Sequence, residues 1–327
     1  MADIPTAASE PASAATSEGA TRTPLAHTFV YDATLAGHLA QAAVQWHHLE
    51  KRDLAMVAKD NYKLVRQGKY TDVHGVQHSI ALSKSAINVT YSLPSTVGRR
   101  LATHPMTRVA LARLDTASAL RCMHSLPTTT GRVCALNFAN QHHPGGGYLN
   151  GARAQEEDLC RLMPPLFSSL KRLRYPLRDC EAHYTQTLLA RTAGSYAFDG
   201  PPLPVFIVSA AMPNLGGVGS KMAAGSPEWW QTVRTRLRAV LHAAREEQCE
   251  TLILGAFGCG AFANPPDLVA RACAEVLKSE EFRGCFGTIV FAILEARAQD
   301  GGNVAAFEGA LRGLCAQTAP AEAHHIL

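Results

Sequence analysis

The stretch from Val133 to Arg161, VCALNFANQHHPGGGYLNGARAQEEDLCR, sets an apolar strand, three consecutive glycines and an acidic pair within one short run of chain. Val133 to Phe138 predicts a buried strand. Gly145, Gly146 and Gly147 lack a Cβ, so their amides can approach a ligand closely. Gln155 then opens a helical pattern that carries Glu156 and Glu157 in its first turn. A strand that ends in a glycine loop and feeds a helix is a common way to present backbone N–H groups to an anion. Taken singly, the glycines could make only a turn and the glutamates only complement the helix dipole. Taken together with Asn140, Pro144 and Gln155 around one strand-to-helix connection, they lay out a catalytic site.

Outward from this segment the chain alternates strand and helix. Strands are predicted near Thr107 to Leu114, Val133 to Phe138, Val205 to Ala211, Thr251 to Phe257 and Thr288 to Leu294. Helices are predicted near Thr116 to Ser125, Gln155 to Arg172, Pro227 to Glu247, Pro265 to Lys278 and Asn303 to Cys315, with Ser226-Pro227 and Asn264-Pro265 as N-cap and first-turn signals. Such alternation implies a mostly parallel sheet covered on both faces, with ligands gathering at the carboxyl ends of its strands. A second segment, LILGAFGCGAFANPP from Leu252 to Pro266, repeats the plan of strand, glycine loop and helix. Two such loops in one sheet can grip a diphosphate from both sides.

The spacing of three glycines, seven residues and Gln-Glu-Glu resembles the signature of poly(ADP-ribose) glycohydrolases, in particular the compact type built on a macrodomain. The resemblance implies a macrodomain-like three-layer α/β/α fold with a mostly parallel central sheet and an N-terminal, largely helical extension. It implies that Gly258, Cys259, Gly260, Ala261 and Phe262 form the loop around the diphosphate, with Phe262 packing on the terminal ribose; an ordinary core phenylalanine is the competing account. It gives Asp115 to the adenine amino group, although an N-cap role explains that residue as well. Asn140, Gly145, Gly146, Gly147 and Gln155 join the substrate-binding set. Arg52, Ala55, Gly68 and Tyr70 look like the Arg-x-x-x-Ala helix and Gly-x-Tyr of the family's N-terminal portion, and Val208 to Asn214, VSAAMPN, resembles its Ala-Pro-Asn element. In LCRLMPPLFSSL the chain departs from the family, and Pro164 is expected to kink or interrupt the helix.

The expected organisation is a disordered tail at 1–25, an extension over 26–105, the catalytic domain over 106–316 and a C-terminal tail at 317–327. Within the extension, Leu35 to Arg66 follows helical spacing through Leu39, Ala43, Trp46, Leu54, Val57, Ala58, Tyr62 and Val65, with Gly68 capping it. Gln77 to Leu82 alternates as a strand. Gly216 to Gly225 is expected to be a mobile loop, with a lid as one role.

Composition narrows the function classes. The 327 residues are 47% hydrophobic, ample for a core. No run approaches the roughly 20 apolar residues that a membrane span needs. A formal charge of +4 with scattered arginines implies no nucleic-acid partner by itself. The nine cysteines form no C-x-x-C pair and no zinc spacing, and the histidine pairs His47/His48 and His142/His143 lack metal-site spacing. Neither a metal nor a cofactor is expected. Free buried thiols point to a reducing intracellular compartment, cytoplasm or nucleus. The expected partners are poly(ADP-ribose), ADP-ribose and poly-ADP-ribosylated proteins.

Cleavage of a ribose-ribose bond needs a proton for the leaving oxygen and an activated water. Adjacent helical residues point about 100° apart, so Glu156 and Glu157 must have different jobs. The resemblance makes Glu157 the general acid and then the base, with Glu156 and Asn140 holding ribose hydroxyls. A helix N-terminus favours a carboxylate, whereas burial, a neighbouring acid and a substrate diphosphate favour the protonated form a general acid needs. The alternatives are a non-catalytic ADP-ribose reader and a hydrolase of mono-ADP-ribosylated protein or O-acetyl-ADP-ribose. A Rossmann dehydrogenase is disfavoured, because no G-x-G-x-x-G follows a first strand.

Overall fold

The computed structural model describes residues 27–45, 49–95, 103–217, 220–295 and 301–316. Both tails, Trp46 and part of the Gly216 to Gly225 loop lie outside them. In chain order the elements are β1 (Thr28–Tyr31), α1 (Ala33–Gln41), α2 (Lys51–Gln67), β2 (Lys69–Thr71), β3 (Gln77–Ser79), β4 (Asn88–Ser92), β5 (Met106–Ala112) and α3 (Thr116–Ser125). They continue as β6 (Arg132–Phe138), α4 (Gln155–Leu162), α5 (Pro164–Leu170), β7 (Glu181–Arg191), β8 (Phe198–Ala210), α6 (Pro227–Glu246), β9 (Cys249–Leu254), α7 (Pro266–Lys278), β10 (Thr288–Ala292) and α8 (Asn303–Ala316).

One eight-stranded sheet, ordered β1-β5-β10-β9-β6-β8-β7-β4, organises the fold, beside a β2-β3 hairpin. All pairings from β1 through β8 are parallel, and β8-β7 and β7-β4 are antiparallel. Alternate residues of the central strands feed two cores: Val109, Leu111, Cys134 and Leu136 face α6, α7 and α8. Ala110, Ala112, Val133 and Ala135 face α1 to α5. Strands buried on both faces read as unbroken apolar runs, which is why the predicted central strands match the observed ones. The macrodomain-like three-layer α/β/α arrangement and its mostly parallel sheet are observed.

Departures from the sequence reading have local causes. The helical pattern from Leu35 to Arg66 is two helices: α1 ends at Gln41, and α2 starts afresh where the Glu50 amide donates to Asp53 Oδ2 at 3.0 Å. Gly68 caps α2 in the left-handed region, φ 74°. The interruption expected at Pro164 within Gln155 to Arg172 is observed: the helix breaks at Met163, φ −117° and ψ 81°, because a residue before proline is disfavoured in helical geometry. Asn264 is not an N-cap; Pro265 occupies that position. Strand β7 went unread because Glu181, His183, Thr185 and Thr187 put buried polar residues where an apolar run was sought. The stretch read as an extension packs on the core with α1 and α2, and it also supplies both edge strands, β1 and β4.

Helix α2 is joined to the catalytic segment by buried polar contacts. Asn61, 1% exposed, donates from Nδ2 to the carbonyls of Cys160 at 3.2 Å and Arg161 at 2.8 Å and to Tyr148 Oη at 3.2 Å. Those carbonyls end α4 and have no helical partner of their own. Asn61 Oδ1 accepts from Arg191 Nε at 2.8 Å, and Arg191 also pairs with Asp60 and donates to the Tyr196 carbonyl. Replacing Asn61 by alanine leaves the buried Cys160 and Arg161 carbonyls and Arg191 Nε without this partner, so N61A should lower stability by about 1–3 kcal/mol in urea unfolding, whereas Y62A at the exposed next position should stay within about 0.5 kcal/mol.

Candidate active site

Helix α4 divides its work between two faces. Gln155, Asp158, Leu159 and Leu162, spaced i, i+3, i+4 and i+7, line a cleft of about 440 Å³ at the carboxyl ends of β5, β6, β9 and β10. Glu156 and Glu157 turn to the glycine loop instead and are not part of the cleft wall. Glu156 Oε2 accepts the Asn140 amide at 2.8 Å, and its Oε1 accepts the Gly145 amide at 3.1 Å and Asn137 Nδ2 at 3.4 Å. Glu157 Oε1 accepts the Gly147 amide at 2.8 Å, and the Gly146 amide donates to the His143 carbonyl. The glycine amides expected to face an anion are thus turned onto the chain's own structure. Two buried carboxylates require donors, and the nearest donors are this loop.

The three glycines are required by space more than by reach. A Cβ at Gly146, φ 54°, would lie 2.4 Å from Glu157 Oε1, and one at Gly145, φ 72°, would lie 2.6 Å from the Phe167 ring. At Gly147 it would meet the Ala152 methyl at 2.7 Å. Gly146 thus makes room for the glutamates themselves, while Gly145 and Gly147 let the loop pack against Phe167 and Ala152, and together they form a clamp around the acidic pair.

Burial pushes the Glu156 carboxyl up to about 8, against the Asn140 amide, with the charge of Glu157 adding to the rise and Asn137 and Gly145 opposing it. Glu157 Oε2 is buried and has no hydrogen-bond partner among the described residues. Asp158, on the cleft face, is also raised by burial, opposed by Arg161. Its Oδ1 accepts from Arg161 Nη2 at 2.6 Å and Tyr196 Oη at 2.6 Å.

Gln155 knits the site to the sheet: Oε1 accepts the Phe138 amide at 2.8 Å, and Nε2 donates to the Leu136 carbonyl at 2.7 Å and Thr116 Oγ1 at 3.0 Å. The Asn140 side chain accepts the amides of His142 and His143, which bends the loop. Asp115 caps α3 by accepting the amides of Ala117 and Ser118, and it lines the cleft as well.

The second loop supplies the opposite wall with Gly258, Gly260, Ala261 and Phe262. The amides of Gly260, Ala261 and Phe262 have no partner among the described residues, so this loop keeps the free donors that the first one spends. The Cys259 thiol is buried under the turn and its amide donates to the Ala256 carbonyl. Gly258, φ 77°, sits where a Cβ would lie 2.6 Å from Met212 Cβ. Phe262 is partly buried at the edge of one core and forms cleft wall at the same time. Asn264 holds the turn shut, donating to the carbonyls of Pro213 and Gly258 and accepting from the Trp229 indole at 2.8 Å.

Sequence reading missed Asn137, fully buried between Glu156 and Ser209 Oγ, to which it donates at 3.0 Å. An asparagine inside an apolar strand was the available signal, since a buried amide needs partners. It also missed Arg153, Asp158 and Tyr196 in the cleft wall. Among the described residues no group of three or more His, Cys, Asp or Glu side chains is placed to hold a metal ion.

A three-layer α/β/α fold carrying a clamped glutamate pair beside a carboxyl-edge cleft defines a macrodomain-like protein. The family described as microbial-type PARG, catalytic domain, matches residues 58–191. The fold is similar to the poly(ADP-ribose) glycohydrolase of Thermomonospora curvata, at 27% identity over 79% of this chain and 99% of that one, TM-score 0.64. It is also similar to that enzyme bound to the inhibitor ADP-HPD, at 29% identity, the same shares of each chain and TM-score 0.65. The Deinococcus radiodurans poly(ADP-ribose) glycohydrolase in complex with ADP-ribose matches at 34% identity over 64% of this chain and 86% of that one, TM-score 0.56. No curated protein sequence matches. The chain belongs to the poly(ADP-ribose) glycohydrolase family.

Two outcomes test the clamp. A group whose folded pKa lies above its free value makes the native state bind more protons, so its effect on stability declines as pH rises between the two values. Wild type should therefore lose stability relative to E156Q from pH 4.5 to about 8 and run parallel to it above, as read by denaturant unfolding at each pH. In G146A the new methyl displaces the Glu157 carboxylate, and ADP-ribose release from polymer should fall by about 100-fold, the scale of an ångström-sized misplacement.

Proposed function

We propose that this chain hydrolyses the ribose-ribose bonds of poly(ADP-ribose) to release ADP-ribose, with Glu157 as the residue that moves the proton. The single observation that carries the residue assignment is the asymmetry of its carboxyl group: Oε1 is fixed by the Gly147 amide and Oε2 is left without a partner. One oxygen sets the orientation, and the other, buried and unpaired, lacks a partner that a bound substrate would supply. As acid, Oε2 protonates the departing ribose oxygen; as base, it takes a proton from the water that attacks the oxocarbenium-like centre. Two steps with one group in opposite roles restore the enzyme.

Glu156 has the other task. Holding the Asn140 and Gly145 amides, it fixes the loop against which Glu157 is oriented, so its part is positioning as much as hydroxyl contact. The cleft would take the ADP-ribose unit, with the free amides of Gly260, Ala261 and Phe262 toward the diphosphate and Asp115 toward the adenine edge. Phe262 would pack on the ribose. Poly-ADP-ribosylated proteins would be the macromolecular carriers of the substrate, and the free cysteines suit a reducing compartment.

The test is release of free ADP-ribose from purified polymer. Wild type should turn over, and E157Q should lose about 10³-fold in kcat, within the usual range for general acid-base catalysis, while still binding ADP-ribose in calorimetry. Polymer left intact by wild type would overturn the activity, and an active E157Q would overturn the residue assignment.

A further inference from the structure

We propose that the groove between α6 and α7 is a second contact site for poly(ADP-ribose), one that holds units of the polymer outside the cleft. The inference rests on the substrate reading above. The groove, about 640 Å³, follows one stripe of α6 through Trp230, Arg234 and Arg238 and takes Arg271 from α7. Two guanidinium groups are held over the Trp230 ring, Arg234 at 4.8 Å and Arg271 at 5.3 Å from its centroid. Both arginines share one carboxylate, Glu275, at 2.6 and 2.9 Å. Arg238 pairs with Glu281 through two nitrogens at 2.7 Å each.

Three arginines against two carboxylates leave the groove cationic, and the two that crowd one carboxylate are already oriented as a fork. Planar guanidinium groups match phosphate oxygens in pairs, and an indole flanked by them suits a chain that alternates diphosphates with bases. Arg234 and Arg271 are half to two-thirds exposed, and an exposed ion pair contributes little to stability, so a diphosphate can take the place of Glu275 at small cost. The polymer then gains the counterion release that rewards phosphate neutralisation.

Helix α6, which forms the groove, also braces the loop that walls the cleft. Trp229, beside Trp230, donates its indole N–H to Asn264, two residues beyond the cleft residue Phe262. A polymer with one unit in the cleft would place another against the α6 groove. ADP-ribose, a single unit, would occupy the cleft alone.

The experiment measures binding of long poly(ADP-ribose) and of ADP-ribose to the full chain in the E157Q background, where turnover is slowed about 10³-fold. The double variant R234A/R271A should bind long polymer about ten-fold more weakly with a shallower salt dependence, and ADP-ribose binding should be unchanged. E275Q, which removes the competing carboxylate, should bind polymer more tightly, a gain that misfolding cannot imitate. Unchanged polymer affinity in both variants, or a parallel loss for ADP-ribose, would overturn the proposal. Equal binding of single-stranded DNA of the same charge would overturn it in favour of a general nucleic-acid surface. Failure of wild type to cleave polymer is read in a separate assay and leaves this binding result standing on its own.

Discussion

The capture of three loop amides by two adjacent carboxylates is the interaction on which the rest of the site depends. Glu156 and Glu157 are 2% and 7% exposed, and burying two acids next to each other is unfavourable unless donors meet them. Asn140, Gly145 and Gly147 supply those donors through backbone N–H groups, which have no side-chain freedom to lose. The loop can come this close only because three successive residues have no Cβ. The result is a carboxylate pair held rigidly, with one free oxygen, on the first turn of a helix whose other face forms the cleft.

That helix needs support at its far end, and the support comes from a distant part of the chain. Asn61 on α2 receives the last carbonyls of α4, while Arg161, fully buried, holds Asp158 and the Ala152 carbonyl. Arg191, on β7, reaches Asn61 and the Tyr196 carbonyl. Three elements far apart in sequence thus fix the angle at which α4 presents its two faces. The second glycine loop is braced in a comparable way, with Asn264 and Trp229 closing a turn that leaves the amides of Gly260 to Phe262 open.

The two loops share a sequence plan and differ in use. Both follow a parallel strand and lead to a helix, and both were expected to offer amides to an anion. The first is followed by a helix whose first turn is acidic, so its amides bind the protein's own carboxylates. The second is followed by a helix with one first-turn acid, Asp267, and its amides stay free. The difference follows from what stands beyond each loop, which decides where the donors point.

The sequence by itself determined the sheet's central strands, the broken helix at Pro164, the glycine-glutamate unit and the family. Each of these is local: an apolar run, a proline, a fixed spacing of residues that touch within one turn. It did not reveal β7, whose buried His183, Thr185 and Thr187 read as exposed polar positions until the fold packs helices α5 and α6 against the strand. Nor did it reveal Asn137 as a partner of Glu156, or Asn61 as the cap of α4, since those contacts join residues 19 and about 100 positions apart. Tertiary structure alone decided which way the amides face and which carboxylate oxygen is left free. Hydrogen bonds between buried groups are set by packing in three dimensions, and spacing along the chain records only the ones that close within a single loop.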